Sequence, residues 1–431
     1  MVTSDRFKIR TWEICDCFAP GICNTNMEGA RKRKTKAPVS SKPSVPTHNK
    51  VSSTSSSWSQ CFLFLVFMVA TLGVVIYLLP CPIDPSPLIF PAPPALEGTL
   101  APNKLLQGTE NILEGRLSGP EALEIRDGFL YTGTSDGQIV KIKGEEITNV
   151  ARLGVPPCGL EKDEHTCGRP LGMRFHTDGF LYVLDAYLGM YKVNVDTGKA
   201  VQLLSALEPI AGAPLKFLND LDIQSDGIIY FTDSSQRWTR RENSFIVFGT
   251  EHTGRLFRFD PNTREIKVLM DGLYFANGVQ LSPDEDFLLM VETTKAKITK
   301  YYLKGPRKGQ FEVFADNLPG YGDNIRSRKA GGYWLGLASI RKQPFSLLDF
   351  IVARPWITKL VSKFFNLNSV VKYIPQYGLL IALDQDGNII QSLHDPTGQN
   401  VSSISSVLDT GEYLYFGSYY KKFIGRLRVN F

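Results

Sequence analysis

Three observations predict an all-β fold, a six-bladed β-propeller preceded by a single N-terminal transmembrane helix. A polar turn followed at once by a hydrophobic triplet recurs six times after residue 110. The first residues of successive triplets are 51, 48, 59, 46 and 80 positions apart, and a period near 50 is typical of propeller blades. An uncharged run of 18 residues, 62–79, stands before the first repeat. The triplets are Phe129-Leu130-Tyr131, Phe180-Leu181-Tyr182, Ile228-Ile229-Tyr230, Phe287-Leu288-Leu289, Tyr333-Trp334-Leu335 and Tyr413-Leu414-Tyr415.

The uncharged run is just long enough to cross a bilayer as a helix. A buried core helix and a secretory signal peptide are the alternatives, although a signal peptide should begin near residue 1. We therefore expect residues 61–80 to be a signal-anchor that contacts the lipid bilayer. Residues 1–60 are expected to be a largely disordered basic tail, and residues 81–104 a stiff, Pro-rich stalk.

The charge distribution predicts the orientation of this anchor. Residues 1–60 carry ten Lys or Arg against four acidic residues, whereas the bases disappear just beyond the run. By the positive-inside rule the tail stays in the cytosol and the remainder is lumenal or extracellular. This arrangement describes a single-pass type II protein of the plasma membrane and/or the endoplasmic reticulum. The formal charge of the whole chain is +5, so the part outside the tail is close to neutral, which excludes a nucleic-acid partner.

Two features of the C-terminal part depend on this topology. Cys158 and Cys167 lie nine positions apart on the oxidising side of the membrane, where a disulfide between them is expected. Asn400 begins an Asn-Val-Ser sequence, which is a glycosylation acceptor in that compartment. The sequence indicates no protein partner.

The repeats assign residues 105–431 to the propeller, at roughly 54 residues per blade. The long step of 80 residues contains an insertion at about 341–376, rich in apolar and basic residues with partly helical spacing. Three interpretations remain open for this insertion. It is a lid over the pocket, an interfacial segment that touches the membrane, or a cap packed against one blade.

The register of the repeats also predicts which side chains meet on the propeller axis. Seven to nine residues before each turn, every unit has a comparable position near the start of the strand that should line the channel. Four of the six side chains there bear oxygen, and together they suit calcium rather than zinc, which would take Cys or His. The alternative is that the Asn-containing dipeptides are ordinary turns. The positions hold Glu121, Leu171, Asn219, Asn277, Asp323 and a Ser-rich stretch around Ser403, and Asn324 is a possible fifth oxygen ligand.

The chemistry expected of such a site is electrophilic. None of the five histidines falls at an axis position, and no Gly-x-Ser-x-Gly elbow is present. A bound calcium ion would polarise a carbonyl or phosphoryl oxygen. Asp323 and Glu121 are then the candidate catalytic carboxylates.

Several stretches of the chain resemble the strictosidine synthase-like family and, more distantly, the paraoxonase-like propellers. The resemblance implies a six-bladed propeller, a type II membrane glycoprotein and an arylesterase activity on aromatic esters. It also implies that Glu121, Asn219, Asn277, Asp323 and Asn324 match the catalytic-calcium ligands of paraoxonase-like propellers. The matching stretches are 119–121, 167–172, 217–235, 277–294, 322–324 and 393–396.

The chain departs from these relatives at two catalytic positions. It has Arg169-Pro170-Leu171-Gly172 where paraoxonases place a catalytic histidine, and a serine run, 402–406, where strictosidine synthase places a catalytic glutamate. Ala122 also replaces an acidic ligand of a second, structural calcium. Strictosidine synthase activity is therefore not expected. The leading hypothesis is a calcium-dependent esterase that acts on small aromatic esters or lactones. The alternatives are a non-catalytic binding module with a structural calcium and a lipid-handling surface protein that uses the insertion.

Overall fold

The structure, a computed structural model, describes residues 55–159, 161–370 and 376–429. The tail expected at residues 1–60 therefore lies outside the described residues up to position 54. Helices are few and short after the first one, in keeping with the weak helical periodicity of the sequence. They are α1 Ser55–Leu78, α2 Glu164–Cys167, α3 Asn243–Phe248, α4 Leu347–Val352, α5 Pro355–Phe364 and α6 Leu367–Val370, with 3-10 turns at Gly98–Leu100, Leu105–Gly108, Glu161–Asp163, Arg240–Glu242 and Thr293–Lys295.

Helix α1 contains the uncharged run. Its apolar part, Trp58–Leu78, has 21 residues, and none of these residues is buried. A helix of this length spans about 30 Å, because each residue adds roughly 1.5 Å along the axis. By length and composition α1 is therefore long and apolar enough to cross a membrane, as the sequence predicts.

Within the described residues, twenty-four strands form six antiparallel sheets of four strands each, which is the predicted six-bladed propeller. Blades 1 to 5 are β2–β5, β6–β9, β10–β13, β14–β17 and β18–β21, in chain order. Blade 6 combines β22–β24 with the first strand, because β1 pairs with β24. Joining the two ends of the chain in one sheet closes the ring.

Each hydrophobic triplet contributes to the second strand of its blade, one strand out from the axis. The inner strands are β2 Leu123–Arg126, β6 Pro170–Phe175, β10 Leu218–Ile223, β14 Ala276–Leu281, β18 Gly320–Ser327 and β22 Ser406–Asp409. The second strands are β3 Phe129–Gly133, β7 Leu181–Asp185, β11 Ile229–Asp233, β15 Phe287–Glu292, β19 Tyr333–Ile340 and β23 Tyr413–Gly417. The outer strands are β1 Glu110–Ile112, β4 Gln138–Lys143, β5 Glu146–Arg152, β8 Gly189–Val193, β9 Ala200–Ser205, β12 Gly254–Asp260, β13 Glu265–Leu273, β16 Lys297–Tyr302, β17 Phe311–Ala315, β20 Gly378–Leu383, β21 Ile389–Asp395 and β24 Ile424–Arg428.

The hydrophobic core lies between the faces of neighbouring blades. Leu184 of blade 2, for example, packs in one buried cluster with Phe231 and Phe257 of blade 3. The two phenyl rings are stacked with their centroids 4.8 Å apart. Because every blade buries both faces in this way, the second strands are apolar on both sides, which explains the unbroken triplets in the sequence.

Residues 81–104, expected to be a stiff, Pro-rich stalk, pack against the propeller. Ile83 is only 3% exposed and joins the core cluster of blades 4 and 5. The Leu88 amide donates to the Val352 carbonyl at 3.1 Å, and the Arg341 guanidinium lies over the Phe90 ring at 4.4 Å. The prolines do keep the segment extended, but apolar residues between them find partners on the blades. A stiff, Pro-rich stalk at 81–104 therefore stays a prediction, with the addition that the segment lies against the blades.

The insertion at 341–376 forms helices α4, α5 and α6 between β19 and β20, with residues 371–375 outside the described part of the chain. Leu348, Ile351 and Val352 of α4 are buried in the core cluster of blade 5. Arg341 is fully buried and pairs with Asp349 at 2.9 Å. The insertion is thus a cap packed on the propeller, and we call residues 341–370 the cap.

The disulfide and glycosylation candidates lie on loops of the propeller. The sulfur atoms of Cys158 and Cys167 are 2.05 Å apart, at bonding distance. Asn400 is half-buried in the loop between β21 and β22, and its Nδ2 donates to the Gln107 carbonyl at 3.1 Å. A glycan on that nitrogen would have to displace this hydrogen bond, so glycosylation of Asn400 stays a prediction.

Candidate metal centre

The side chains predicted for the axis converge at one end of the propeller channel. Glu121, Asn219, Asn277 and Asp323 all line one cavity, together with Leu171 and Ser403. These six positions come from the six blades, as the repeat register predicts. Asn324 is buried beside Asp323 but does not line the cavity.

A bulge in the inner strand orients the side chains of Asn219, Asn277 and Asp323. The pairing register of β10 with β11 shifts between Leu218 and Leu221, and that of β14 with β15 shifts between Ala276 and Val279. In β18 the same shift falls between Gly322 and Ile325. A bulge leaves the extra residue unpaired and turns its side chain out of the strand's normal alternation. Asn219, Asn277 and Asp323 sit in these three bulges. The two Asn dipeptides are therefore strand bulges and not the ordinary turns of the alternative interpretation.

Glycine at position 278 is required by this arrangement. A Cβ at that position would lie 2.5 Å from the Asn324 Cα and 2.8 Å from the Asp323 carbonyl oxygen. Only a residue without a side chain lets the inner strands of blades 4 and 5 approach so closely. In this dipeptide, Asn277 thus lines the site, and Gly278 allows the inner strands around the site to pack closely.

Two identical relays of hydrogen bonds orient the asparagine amides. The Asn219 Nδ2 donates to Ser234 Oγ at 3.0 Å, and that hydroxyl donates to the Ala276 carbonyl at 2.7 Å. In the next blade Asn277 Nδ2 donates to Thr293 Oγ1 at 3.0 Å, which donates to the Gly322 carbonyl at 2.7 Å. Both NH₂ groups are thereby held by the neighbouring strand, which leaves the amide oxygens for the axis.

The amide oxygens of Asn219, Asn277 and Asn324 are buried and have no hydrogen-bond partner among the described residues. An unpartnered buried oxygen costs roughly 1–3 kcal/mol. Two of them line one cavity and the third belongs to the residue next to Asp323, which indicates a ligand that accepts electron pairs, and a hard cation is such a ligand. No group of three His, Cys, Asp or Glu that could hold a metal ion occurs in the described part of the chain. The donor set on the axis escapes this criterion, since it has two carboxylates and otherwise amide oxygens. The residues present fit an oxygen-coordinated cation.

The two carboxylates are buried close together. Burial raises the pKa of Glu121, and Arg169 and Arg240 oppose that rise with their positive charges. Burial and the negative charge of Glu121 raise the pKa of Asp323 well above its ordinary value. Arg169 Nη2 lies 3.6 Å from Glu121 Oε2 and donates to the Tyr419 carbonyl at 2.9 Å. A cation between the two carboxylates would relieve the repulsion between their negative charges.

The rest of the cavity is mainly apolar. Its volume is about 140 Å³, below the roughly 300–1,000 Å³ of sites for drug-sized ligands. The Phe217 and Phe275 rings form part of the wall with their centroids 5.5 Å apart. Leu348 of α4 also lines the cavity, so the cap forms part of its wall. A cavity of this kind accepts a small molecule with an apolar or aromatic group.

Some residues of the site were not predicted from the sequence. Phe217 and Phe275 stand two positions before Asn219 and Asn277, and this repeated Phe-x-Asn spacing is a signal that could have identified them. Arg240 also lines the cavity, held by two hydrogen bonds to Glu164 at 2.7 and 2.6 Å. No repeat marks Arg240, because it belongs to a loop of blade 3 with no counterpart in the other blades.

His394 lies beside the cavity wall and not on the axis. Its ring nitrogens are 2.8 Å from the Tyr377 hydroxyl and 2.8 Å from Ser392 Oγ, and burial lowers its pKa to about 4. Unfolding restores a pKa near 6.5, so the unfolded chain binds more protons between these two values.

We expect wild-type chain to lose about 2 kcal/mol of unfolding free energy between pH 7 and pH 5 relative to His394→Gln, since glutamine does not titrate. Chemical denaturation of both proteins in detergent at the two pH values measures the difference. Equal pH dependence would contradict the assignment of a neutral, buried His394.

The chain matches known proteins over most of its length. Residues 219–306 match the family model for strictosidine synthase, and residues 98–142 match the model for the N-terminal part of strictosidine synthase-like proteins. Adipocyte plasma membrane-associated protein from Gallus gallus is 44% identical over 409 residues, covering 93% of this chain and 98% of that protein. The Homo sapiens protein of that name is 45% identical over 363 residues, covering 84% and 87%.

A gluconolactonase from Xanthomonas campestris is similar in structure, with a TM-score of 0.50 at 16% identity. The likeness covers 81% of this chain and 99% of that one, and it supports the propeller fold alone. The long sequence matches, in contrast, reach from the apolar helix through all six blades. They confirm the resemblance seen in the sequence. The chain belongs to the strictosidine synthase-like family and, within it, to the adipocyte plasma membrane-associated proteins.

Proposed function

We propose that the chain is a membrane-anchored, calcium-dependent hydrolase of small aromatic esters or lactones. One observation carries the proposal. The unpartnered amide oxygens of Asn219 and Asn277 and two buried carboxylates meet in a cavity whose other walls are mainly apolar, and a third unpartnered oxygen, that of Asn324, is buried beside Asp323. Glu121, Asn219, Asn277, Asp323 and Asn324 would hold the ion. When bound, calcium would polarise the ester carbonyl and stabilise the negative charge that develops on its oxygen.

The chain's own residues supply substrate binding and proton transfer. Phe217 and Phe275 offer aromatic faces to the ring of the substrate and exclude water. Arg169 favours the ionised form of Glu121, at 3.6 Å from its carboxylate. Burial and the charge of Glu121 raise the pKa of Asp323 well above its ordinary value although Ser405 and Asn277 hydrogen-bond to it, so Asp323 is the better acceptor of the proton from the attacking water.

The membrane topology is part of the same proposal. Curated relatives carry the name plasma membrane-associated protein, and α1 has the length and composition of a membrane span. The basic tail then lies in the cytosol, and the propeller lies in the lumen or outside the cell as a type II glycoprotein. The compartment proposed is the plasma membrane and/or the endoplasmic reticulum. A disulfide at Cys158 and Cys167 suits that side of the membrane.

A non-catalytic binding module with a structural calcium is the second candidate. The observation in its favour is Leu171, which lines the cavity where paraoxonase-like propellers place their catalytic histidine. The leucine cannot move a proton. In this case the ion would only hold the inner strands together, and the cavity would bind a small molecule without converting it.

Hydrolysis of phenyl acetate by the full chain in detergent separates the two candidates. The proposed hydrolase loses at least about tenfold in rate on removal of calcium and regains it on re-addition. Asp386→Asn, in an exposed turn, is the matched control for Asp323→Asn and keeps the wild-type rate. Equal rates with and without a chelator would contradict the hydrolase. A calcium-dependent rise in melting temperature with no turnover of any ester would favour the binding module.

A further inference from the structure

Helix α5 of the cap carries its large apolar side chains on the outside. Trp356, Leu360 and Phe364 follow at intervals of four residues, so they share one face of the helix. Their exposed fractions are 68%, 40% and 51%, and Phe365 just beyond the helix is 62% exposed. A helix on a globular protein normally turns this stripe toward the core. We call these four residues the cap face.

The opposite side of α5 shows that this orientation is not a packing accident. Thr358 and Ser362 are the buried residues, and both satisfy their hydroxyls on nearby carbonyls. Thr358 Oγ1 donates to the Ile351 carbonyl at 3.0 Å, and Ser362 Oγ donates to the Lys359 carbonyl at 3.0 Å. The polar side chains are thus adapted to the interior, and the aromatic ones remain outside with no described residue to cover them.

The C-terminal end of α1 fixes where the cap face lies. Lys363 Nζ donates to the carbonyls of Ile76 and Tyr77, each at 2.9 Å. These carbonyls belong to the last turn of α1, where the Leu79 amide also donates to the Ile76 carbonyl at 3.3 Å, and a cation is favoured at this end of a helix. Lys359 Nζ also pairs with Asp84 at 2.7 Å, just after the apolar run. Helix α5 is therefore held at the point where the proposed membrane span ends.

We propose that the cap face inserts into the interfacial layer of the same bilayer that α1 spans. This inference rests on the membrane anchor proposed above and is independent of the hydrolase activity. Trp and Phe beside Lys and Arg form the composition of helices that lie in a membrane interface. Lys359 and Lys363 hold α5 against the end of α1, and the exposed Arg354 would meet lipid phosphates while Trp356 and Phe364 enter the acyl region.

Membrane docking of the cap face also bears on the cavity. Phe350 of α4 is 38% exposed near the cap face, whereas Leu348, two residues earlier, lines the cavity. The short α4 thus has one partly exposed side chain, under the Arg354 guanidinium at 4.0 Å, and another that lines the site. A bilayer that holds α5 also holds this wall of the cavity.

Tryptophan fluorescence of the full chain in phosphatidylcholine vesicles tests the docking. The lipids carry bromine near the top of their acyl chains, which quenches indoles at that depth. Subtracting the spectrum of Trp356→Phe from that of wild type isolates the emission of Trp356. We expect bromolipid to reduce this emission by about twofold or more, and aqueous iodide to have little effect. Trp334→Phe is the matched control, because Trp334 is 2% exposed inside the propeller and its emission stays unquenched by either.

Each other outcome overturns the proposal and says why. If iodide quenches Trp356 and bromolipid does not, the cap face remains in water. If neither quenches it, a protein partner or a second copy of the chain covers the face. The emission that remains in Trp356→Phe includes Trp58 of α1, which reports on the anchor. If bromolipid leaves this emission unchanged as well, the anchor itself does not span the bilayer.

Discussion

Replacing Asp323 by asparagine is expected to weaken calcium binding by the chain on the order of 100-fold, or about 2.7 kcal/mol. The substitution keeps the volume and one oxygen of the side chain but removes one of the two negative charges in the proposed site. Asn277→Ala removes a neutral oxygen and is expected to cost less, about tenfold. Calorimetric titration of the full chain in detergent with calcium measures both values.

The same substitution separates a lost ligand from a damaged fold. Without calcium, Asp323 and Glu121 are two buried carboxylates, and the negative charge of Glu121 adds to the free-energy cost of ionising Asp323. Removing one charge relieves that repulsion, so calcium-free Asp323→Asn should melt no lower than the calcium-free wild type. At a calcium concentration that saturates only the wild type, the wild type gains more stability than the variant. An unchanged dissociation constant in Asp323→Asn would contradict the proposed site, as would equal gains in melting temperature for both proteins.

Replacing Arg326 by alanine is expected to cost roughly 3–5 kcal/mol of unfolding free energy, because it leaves a buried charge without its partner. Arg326 lies three residues after Asp323, deeper in the channel. Its guanidinium binds Asp220 through two hydrogen bonds of 2.7 and 3.0 Å. Asp220 is fully buried, and its further partners are the Val279 amide at 2.9 Å and Arg174 at 3.9 Å.

The surface pair of Arg116 and Glu145 provides the control for this prediction. Their atoms are 3.0 Å apart, but the side chains are 49% and 83% exposed. Arg116→Ala should therefore cost no more than about 1 kcal/mol. Urea denaturation of the full chain in detergent compares the two variants with wild type. A loss below about 1 kcal/mol in Arg326→Ala would show that the axial ion pair is not required for folding.

Buried charged residues on the inner strands also bear on the second, structural calcium of paraoxonase-like propellers. Arg174 Nε lies 3.4 Å from Asp222, and Arg174 Nη1 lies 3.7 Å from Glu124. Together with Arg326 it places two positive charges among three carboxylates in the channel. The sequence already showed Ala122 at an acidic ligand position of the structural calcium. The two arginines offset the charges of two carboxylates, and burial raises the pKa of Glu124 to about 7, so these residues leave little negative charge for a second metal ion to balance.

The repeat period was sufficient to predict the blades and the axis positions. In a propeller each blade contacts mainly its neighbours, so a fixed spacing in sequence becomes a fixed place in the ring. The spacing alone was enough to predict four residues that line one cavity, namely Glu121, Asn219, Asn277 and Asp323. The bulges that aim these side chains are absent from the pattern, because a bulge changes pairing by one residue and leaves the composition of the strand unchanged.

Contacts between distant segments could not be predicted in the same way. Phe90 and Arg341 meet although 250 residues separate them, and neither belongs to a repeat. The cap shows a second limit. Its sequence has partly helical spacing, and polarity alone would predict a buried Trp356 and an exposed Thr358. In the structure Trp356 is exposed and Thr358 is buried. Such an exchange becomes intelligible only when the position of α5 at the end of α1 is known.

Electron density on the propeller axis of the purified full chain, crystallised with calcium, tests the proposed site most directly. The account predicts one ion in contact with Glu121, Asn219, Asn277 and Asp323, at the roughly 2.3–2.6 Å of calcium–oxygen distances. Asn324 completes the protein ligands. Anomalous scattering identifies the element. Water molecules hydrogen-bonded to the three asparagine oxygens at calcium saturation, with no ion among them, would contradict it.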